Sequence, residues 1–305
     1  MALHDPYVAS PDWHQWIVWY FFLGGIAAGS YALACLVRLL GTEADRRAVR
    51  VADYIATPII ALCGVMLVVD LGRPERFWHM MIQSETLWPM FKWWSPMSAG
   101  SWGLSTFGAF AGLSFAVALA EDGRFGLGRF RPLAGWLTRG VLGRFMAFGG
   151  FVSACYLGSY TGSLLNASNQ PIWAQSTWLS PLFLASSAST GAAAMVFLIR
   201  WRLRATPYEV VERLERFDRF AIVLELLTLV GFAVSLGGLA GPALFRWPGV
   251  LIPAFVVPVG LLLPLVFSQV PWRWGHWVAP LMVLLAGYLL RYAVVYLPET
   301  FLAHL

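Results

Sequence analysis

Residues 16–31 read WIVWYFFLGGIAAGSY and contain no charged side chain. The apolar stretch around them, roughly 15–40, is longer than the about 20 residues that a helix needs to cross the hydrocarbon layer of a membrane. Gly25 and Gly29 lie four positions apart and share one helix face, and small residues at this spacing let a neighbouring helix approach closely. The stretch predicts a membrane-spanning helix that packs tightly against another.

Seven further apolar stretches follow, and most connections between them are short. They run roughly over 52–71, 98–120, 141–165, 178–200, 219–240, 248–269 and 276–297. Hydrophobic residues make up 59% of the chain and charged residues 12%, against about 25% charged residues in soluble domains. The sequence therefore predicts an all-α, multi-pass membrane protein with eight transmembrane helices, forming a single integral membrane domain over residues 1–305.

A second run of small residues, FLASSASTG at 183–191, lies four spans after the first. Two such stripes at this interval favour two four-helix bundles, residues 1–166 and 167–305, related as parallel repeats. In this fold the backbone polar groups are satisfied inside helices, as lipid requires.

Arginine is distributed unequally between alternate connections. The first, third, fifth and seventh connections carry Arg46, Arg47, Arg50, Arg124, Arg129, Arg131, Arg139, Arg202, Arg204, Arg213, Arg216 and Arg273. The other connections have Arg73, Arg76, Lys92, Arg246 and little else. The positive-inside rule then predicts cytoplasmic arginine-rich connections, and both termini outside, in a bacterial inner membrane. No cleavable signal peptide is visible, so the first span is expected to insert with its N-terminus translocated.

Cysteine and histidine limit the cofactors expected in this protein. Cys35, Cys63 and Cys155 are isolated and lack the paired spacing of a disulfide framework or a thiolate cluster. The five histidines, at 4, 14, 79, 276 and 304, all lie away from the middle of the predicted spans, where a buried haem would need its ligands. We therefore expect no haem, no metal and an organic redox partner in the lipid. The net charge of +5 comes from the arginine-rich connections and indicates no nucleic-acid partner.

Charge in or at the end of a span is costly and tends to mark function, and three ionisable residues at such positions are candidates for a functional role. Asp70 closes the second span and either pairs with Arg73 or Arg291 or transfers protons. Arg291, about two turns below the outer end of the last span, either snorkels to the interface or faces a cavity. Glu225 is either a protonated structural group or part of a proton route. Its candidate partners near the same face are Asp53, Arg144 and Arg219.

Two tyrosines, Tyr20 and Tyr160, lie at similar depth near the outer ends of the first and fourth spans. With His14, Asp70 and Arg291 they suit a quinone head group, whose carbonyls accept hydrogen bonds and whose reduction consumes two protons. The alternative is ordinary interfacial tyrosine, which is common in membrane proteins.

The connection at 72–97 is longer than connectivity requires and contains Trp78, Trp88, Trp93 and Trp94. These rings either rest at the lipid headgroups or form a docking surface for a partner protein. Composition alone leaves both alternatives open.

Four motifs resemble those of the NrfD-like family, the membrane subunits of polysulfide reductase and its relatives. They are YFFLGGIAAG at 20–29, DLGRPERFW at 70–78, WSPMS at 94–98 followed by SWG at 101–103, and SYTG at 159–162. The resemblance covers essentially the whole chain. It implies a haem-free subunit that binds menaquinone or ubiquinone. It also implies a ferredoxin-like iron–sulfur partner, which often connects to a molybdopterin catalytic subunit.

The resemblance also implies roles for particular residues. Tyr160 matches a tyrosine of the family's quinone pocket. Tyr20 stands where the family has a histidine, so His14 is expected to substitute, with Trp13 beside it in the predicted pocket. Asp70 and Arg291 match family positions and, with Glu225, form the predicted proton-transfer set. The predicted docking residues are Arg73, Arg76, Trp78 and Lys92.

The predicted function is electron exchange between the membrane quinone pool and an iron–sulfur subunit of a respiratory oxidoreductase, with possible proton translocation. A proton-coupled secondary transporter or channel-like protein is the alternative, because eight helices, a pseudo-repeat and buried Glu225 and Arg291 also suit it. Against this alternative, no span carries a clear Gly-Pro break at mid-membrane in matching halves.

Overall fold

The computed structural model describes residues 13, 15–42, 45–202, 208–267 and 275–302. We label the longer helices in chain order: α1 Gln15–Leu40, α2 Arg46–Val69, α3 Pro96–Asp122, α4 Gly140–Asn166, α5 Leu179–Arg202, α6 Tyr208–Ser235, α7 Ile252–Phe267 and α8 Gly275–Leu302. Over these ranges the protein has no β-strand and only an isolated bridge between Ile82 and Pro89. The predicted all-α class is confirmed.

Helix length and hydropathy agree with a multi-pass membrane protein. Six helices, α1 to α5 and α8, are long and apolar enough to cross a membrane. α6 meets the same criterion only together with Gly237–Leu244, which continues it after a bend of 105°. α7 is shorter than the about 20 residues that a span needs. The count of eight spans and the outer location of the termini therefore stay predictions.

The stretch predicted as a seventh span forms an unusual helix. Ile252–Leu262 is a π-helix and Leu263–Phe267 is α-helical. Pro258 lies inside the π-helix and has no N–H, and its ring would clash with the carbonyl four residues earlier in an α-helix. The wider winding relieves that clash, and the N–H of Leu263 bonds to the carbonyl of Pro258, five residues back.

Helix α1 lies at the centre of the fold. It packs against α2, α4, α5 and α8. Contacts run in one ring through α1, α2, α3 and α4, and in a second ring through α5, α6, α7 and α8. Division of the protein into two bundles at residue 166 remains a prediction.

The two stripes of small residues meet in the contact between α1 and α5. A Cβ atom added to Gly29 would lie 1.7 Å from the carbonyl oxygen of Ser187, and one added to Gly191 would lie 2.4 Å from the carbonyl carbon of Gly29. The backbones therefore touch, because neither position carries a side chain. The sequence predicted this close approach for Gly29, and α5 is the neighbour that makes it.

Ion pairs concentrate at the arginine-rich end of the helices. Arg38 donates to both carboxylate oxygens of Asp53, Arg50 pairs with Glu121 and Asp122, and Arg200 pairs with Glu215. Asp53 is therefore the partner of Arg38, and the expected pairing of Asp53 with Glu225 is wrong.

Asp45 connects this end of the first ring to α6. Arg213 donates to its carboxylate from Nη2 at 2.5 Å and from Nε at 3.1 Å, and Thr42 donates from its backbone N–H and its hydroxyl. Burial opposes ionisation of this carboxyl, but the hydrogen bonds outweigh it and keep the pKa of Asp45 below its ordinary value. Its stabilising effect is therefore present above about pH 4 and is lost as the pH falls through the lowered pKa.

Gly29→Ala should destabilise the protein, because the new methyl group would overlap the backbone of Ser187. Overpacking of this kind costs about 1–3 kcal/mol. Gly64→Ala on α2 is the matched control, since no atom lies within 4 Å of its added Cβ. Thermal unfolding of both variants in mild detergent measures the difference. Equal melting temperatures would contradict the tight contact between α1 and α5.

Candidate functional site

Tyr160 on α4 is buried against the beginning of α3. Its hydroxyl donates to the carbonyl oxygen of Pro96 at 2.6 Å. A Cβ atom on Gly100, one turn into α3, would lie 2.0 Å from this hydroxyl, so glycine makes room for the phenol. The ring of Tyr156, one turn earlier on α4, stacks on Tyr160 at 5.8 Å.

Tyr20 joins these two phenols from α1. It is 4% exposed and lies near enough to Tyr160 and Tyr156 to interact with them electrostatically. Its backbone carbonyl accepts a weak hydrogen bond from Cys63 of α2, but its hydroxyl makes no hydrogen bond with any other described residue. The structure thus brings together Tyr20 and Tyr160, which the sequence predicted as one site, and it adds Tyr156. We call these three residues the tyrosine cluster.

The two residues predicted beside Tyr20 are only partly described. Trp13 packs against Trp173 at 5.0 Å between ring centroids and against Phe21 at 6.2 Å. The indole N–H of Trp173 donates to the carbonyl of Val294 at 2.7 Å, which links this aromatic group to α8. His14 lies outside the described residues.

Arg291 on α8 is buried, with 1% of its surface exposed. Its guanidinium donates to the carbonyls of Phe21 at 3.0 Å and Gly287 at 2.8 Å. It also donates to the hydroxyls of Ser186 at 3.0 Å and Ser187 at 3.3 Å. The side chain is therefore held inside the protein and does not snorkel. Since these groups are its partners, the alternative in which Asp70 pairs with Arg291 is wrong.

Glu225 on α6 is also buried and faces the same serine-rich stretch of α5. The hydroxyl of Ser189 donates to its Oε2 atom at 2.5 Å. Ser186, which accepts from Arg291, also lies within reach of this carboxyl. Glu225 and Arg291, which the sequence located at different depths, are thus joined through α5. We call Glu225, Ser189, Ser186 and Arg291 the buried polar network.

Asp70 ends α2 at the same end of the fold as the tyrosine cluster. It is the C-cap residue of that helix, and its backbone N–H bonds to the carbonyl of Met66. Its side chain is half-buried.

The connection between α2 and α3 is ordered and carries the predicted docking residues. Arg73, Arg76 and Lys92 are exposed, whereas Trp78 is half-buried and stacks on His79 at 3.8 Å. The most exposed side chains of tryptophan in this connection are those of Trp88, Trp93 and Trp94, with 73%, 75% and 66% of their surface exposed. The indole of Trp102 donates to the carbonyl of Met90, and the backbone N–H of Lys92 donates to Ser98. These bonds tie the connection to α3, next to the Pro96 carbonyl that Tyr160 contacts.

The comparisons with known proteins agree with the motifs. The family model described as "Polysulphide reductase, NrfD" matches residues 8–303. The chain belongs to this NrfD family. One of the chains of polysulfide reductase from Wolinella succinogenes is 28% identical over 95% of this protein and 95% of its own length. The NrfD homolog of Haemophilus influenzae is 28% identical over 84% of this protein and 83% of its own length. A selenate reductase subunit of Mesobacillus selenatarsenatis is 32% identical over 71 residues, 23% of this protein and 17% of its own length.

Besides Tyr156 and the serines of the buried polar network, the sequence reasoning missed Asp218 of this NrfD-family protein. Its Oδ1 atom is buried and has no hydrogen-bond partner in the described part of the molecule. It lies seven residues before Glu225, which is two turns along one face of α6 or about 10 Å. The seven-residue spacing between the two carboxylates was the feature of the sequence that could have identified Asp218. Within the described residues, no three His, Cys, Asp or Glu side chains form a group that could hold a metal ion.

Arg291→Gln should destabilise this NrfD-family protein, because Arg291 connects α8 to α1 and α5 through buried hydrogen bonds. Hydrogen bonds between membrane helices average about 0.6 kcal/mol each, so we expect a loss of about 2 kcal/mol. Arg246→Gln is the matched control, since Arg246 is exposed. Thermal unfolding in detergent is the measurement. A variant as stable as the control would show that Arg291 has no such role.

Proposed function

We propose that this protein is the quinone-binding membrane subunit of a respiratory oxidoreductase, exchanging electrons between the quinone pool and an iron–sulfur subunit. The tyrosine cluster is the observation that carries the proposal. It presents three phenol groups inside the membrane-spanning part of the protein, and the hydroxyls of Tyr20 and Tyr156 make no hydrogen bond with any described residue. A quinone head group needs such donors at its carbonyl oxygens.

The two predicted tyrosines would have different tasks. The O–H of Tyr20 bonds to no other described residue and would donate to a quinone carbonyl. The O–H of Tyr160 already donates to Pro96, so its oxygen would accept a hydrogen bond from the hydroxyl of a quinol. Tyr156 is 38% exposed on the lipid-facing side of α4 and would lie where the ligand enters.

The iron–sulfur partner would dock on the connection between α2 and α3. Its exposed indoles and the cations Arg73, Arg76 and Lys92 suit a partner whose surface is apolar with an acidic rim. The hydrogen bond from Tyr160 to Pro96 leaves little distance between this surface and the tyrosine cluster. Two of the matched relatives are named as individual components of reductases, which supports a multi-subunit complex. The family resemblance adds a molybdopterin catalytic subunit as the third member.

Proton transfer would accompany quinone chemistry at two places. Asp70 lies at the end of α2 near the tyrosine cluster and would exchange protons with the quinone. The buried polar network and Asp218 extend from the arginine-rich end towards Phe21, which follows Tyr20 in α1, and would supply a route through the protein.

The transporter alternative gains one observation, because the π-helix of α7 is irregular backbone inside an apolar stretch. Its counterpart in the first half, α3, is a continuous α-helix. Proton-coupled solute uptake by the purified protein, with no quinone binding, would favour the transporter.

Tyr20→Phe should weaken quinone binding about threefold to tenfold, because one neutral hydrogen bond contributes about 0.5–1.5 kcal/mol. Tyr160→Phe should weaken binding of the quinol more than that of the quinone, since its oxygen is the acceptor. Tyr54→Phe is the control, because Tyr54 bonds to Asp122 at the arginine-rich end. Titration of the purified subunit with quinone and quinol analogues measures both. Wild-type affinities in both variants would exclude this site.

A second comparison, on the complex purified with its iron–sulfur subunit, separates proton transfer from binding. Asp70→Asn and Glu225→Gln should slow quinol-dependent turnover while quinone affinity stays unchanged. If these groups are only structural, the yield and melting temperature of the variants fall and turnover per folded molecule is normal.

Arg76→Glu and Lys92→Glu should weaken retention of the iron–sulfur subunit, with a larger effect at low salt, because exposed charges are screened within about 10 Å at 0.1 M salt. Arg246→Glu is the control, because it makes the same change of charge at an exposed residue outside this connection. Co-purification at increasing ionic strength measures retention. Cross-links from the partner only to residues 123–139 would contradict the proposed docking surface.

A further inference from the structure

A cavity of about 610 Å³ opens between α1, α2, α3 and α4 at their arginine-rich end, below the connection that leads into α4. Five arginines line it, Arg38, Arg46, Arg50, Arg139 and Arg144, against two carboxylates, Asp53 and Glu121. It lies at the opposite end of the helices from the tyrosine cluster, so the proposed function does not use it.

The pairing of these charges leaves the cavity positive. Arg38 is paired with Asp53, and Arg50 with Glu121 and Asp122. Arg139 and Arg144 are exposed and make no ion pair with any described residue. Two cations thus line the cavity without a carboxylate partner among the residues that the structure describes.

The beginning of α4 adds hydrogen-bond donors at the same place. Arg139 is the N-cap residue of α4, and its side chain makes no capping hydrogen bond to this helix. The first N–H groups of a helix have no partner within it and attract anions. A Cβ atom on Gly140 would contact nothing within 4 Å, so this first turn is open to a ligand.

The remaining walls and the surroundings are apolar. Val37, Val49, Leu113, Val117 and Met146 line the cavity. Outside it, Val141 is 84% exposed and Phe145 61%, and an apolar face of this kind on a membrane-spanning helix suits contact with lipid. The short helix Arg131–Thr138 exposes Leu133 and Trp136 in the same way, as an interfacial helix does. A free inorganic anion makes no favourable contact with apolar walls, whereas a lipid has both a phosphate for the arginines and acyl chains for the apolar residues.

We propose that this cavity binds an anionic phospholipid, with the phosphodiester between Arg139, Arg144 and the first turn of α4 and the acyl chains along the exposed face of α4. Basic pockets between membrane helices are suited to anionic headgroups because the charge attraction adds to the burial of the chains. An anionic phospholipid and inorganic phosphate would both present a phosphate anion to the arginines. Only the phospholipid also has acyl chains.

The test uses the purified protein, delipidated in mild detergent, and native mass spectrometry to titrate bound phosphatidylglycerol. Each arginine near an anionic surface is worth about a fivefold change in affinity, so Arg139→Gln with Arg144→Gln should lower it about 25-fold. Arg129→Gln is the matched control, because this exposed arginine lies in the same connection but does not line the cavity. Replacing both residues by lysine keeps the charges and should restore most of the binding.

Two further ligands show whether the cavity binds an anionic lipid, any lipid or a free phosphate ion. Phosphatidylcholine has the acyl chains without net charge and should bind far more weakly than phosphatidylglycerol, and inorganic phosphate alone should not displace bound phosphatidylglycerol at millimolar concentration. Equal loss of lipid from the double variant and from Arg129→Gln would overturn the proposal. Displacement by phosphate, or equal binding of phosphatidylcholine, would overturn the assignment to an anionic lipid.

Discussion

Gly29 of α1 lies directly against the backbone of Ser187 in α5, and Gly191 of α5 lies against the backbone of Gly29. Lipid gives apolar helices no hydrophobic reason to associate, so helices in a membrane are held by close packing and by hydrogen bonds between them. A backbone contact of this kind fixes both the distance between α1 and α5 and their register. Because α1 also packs on α2, α4 and α8, the positions of most of the other helices depend on it.

The same contact makes a buried arginine tolerable. An isolated charge in the membrane interior costs several kcal/mol, and Arg291 offsets that cost through hydrogen bonds with α1, α5 and its own helix. A Cβ atom on Gly25 would lie 2.5 Å from Nη2 of Arg291, so the guanidinium occupies the space that a side chain there would fill. One glycine of the stripe brings the helices together, and the other makes room for the charge between them.

Much of this fold could be predicted from local sequence, but most of the hydrogen-bond partners in the site could not. Length and hydropathy located six of the eight predicted spans. The glycine spacing predicted a tight helix contact, and depth brought Tyr20 and Tyr160 to one level. The partners of Arg291 are serines about a hundred positions away in the sequence, with ordinary small side chains that no local pattern marks as ligands. The bond from Tyr160 to Pro96 uses a backbone carbonyl, which every residue has. The π-helix of α7 surrounds Pro258, and hydropathy does not record how a helix accommodates a proline.

The two polar regions of the molecule are connected through α1. Arg291 donates to the carbonyl of Phe21, the residue that follows Tyr20. A ligand that pulls the Tyr20 ring would act on this turn of α1 and therefore on the hydrogen bond that Arg291 makes there. Arg291 shares Ser186 with Glu225, so a shift at Tyr20 alters the balance of charge around a buried carboxyl on α6. Packed interiors transmit such displacements because they contain little free volume. If the proposed quinone site is correct, ligand binding at Tyr20 and the protonation of Glu225 would be coupled through this one backbone carbonyl.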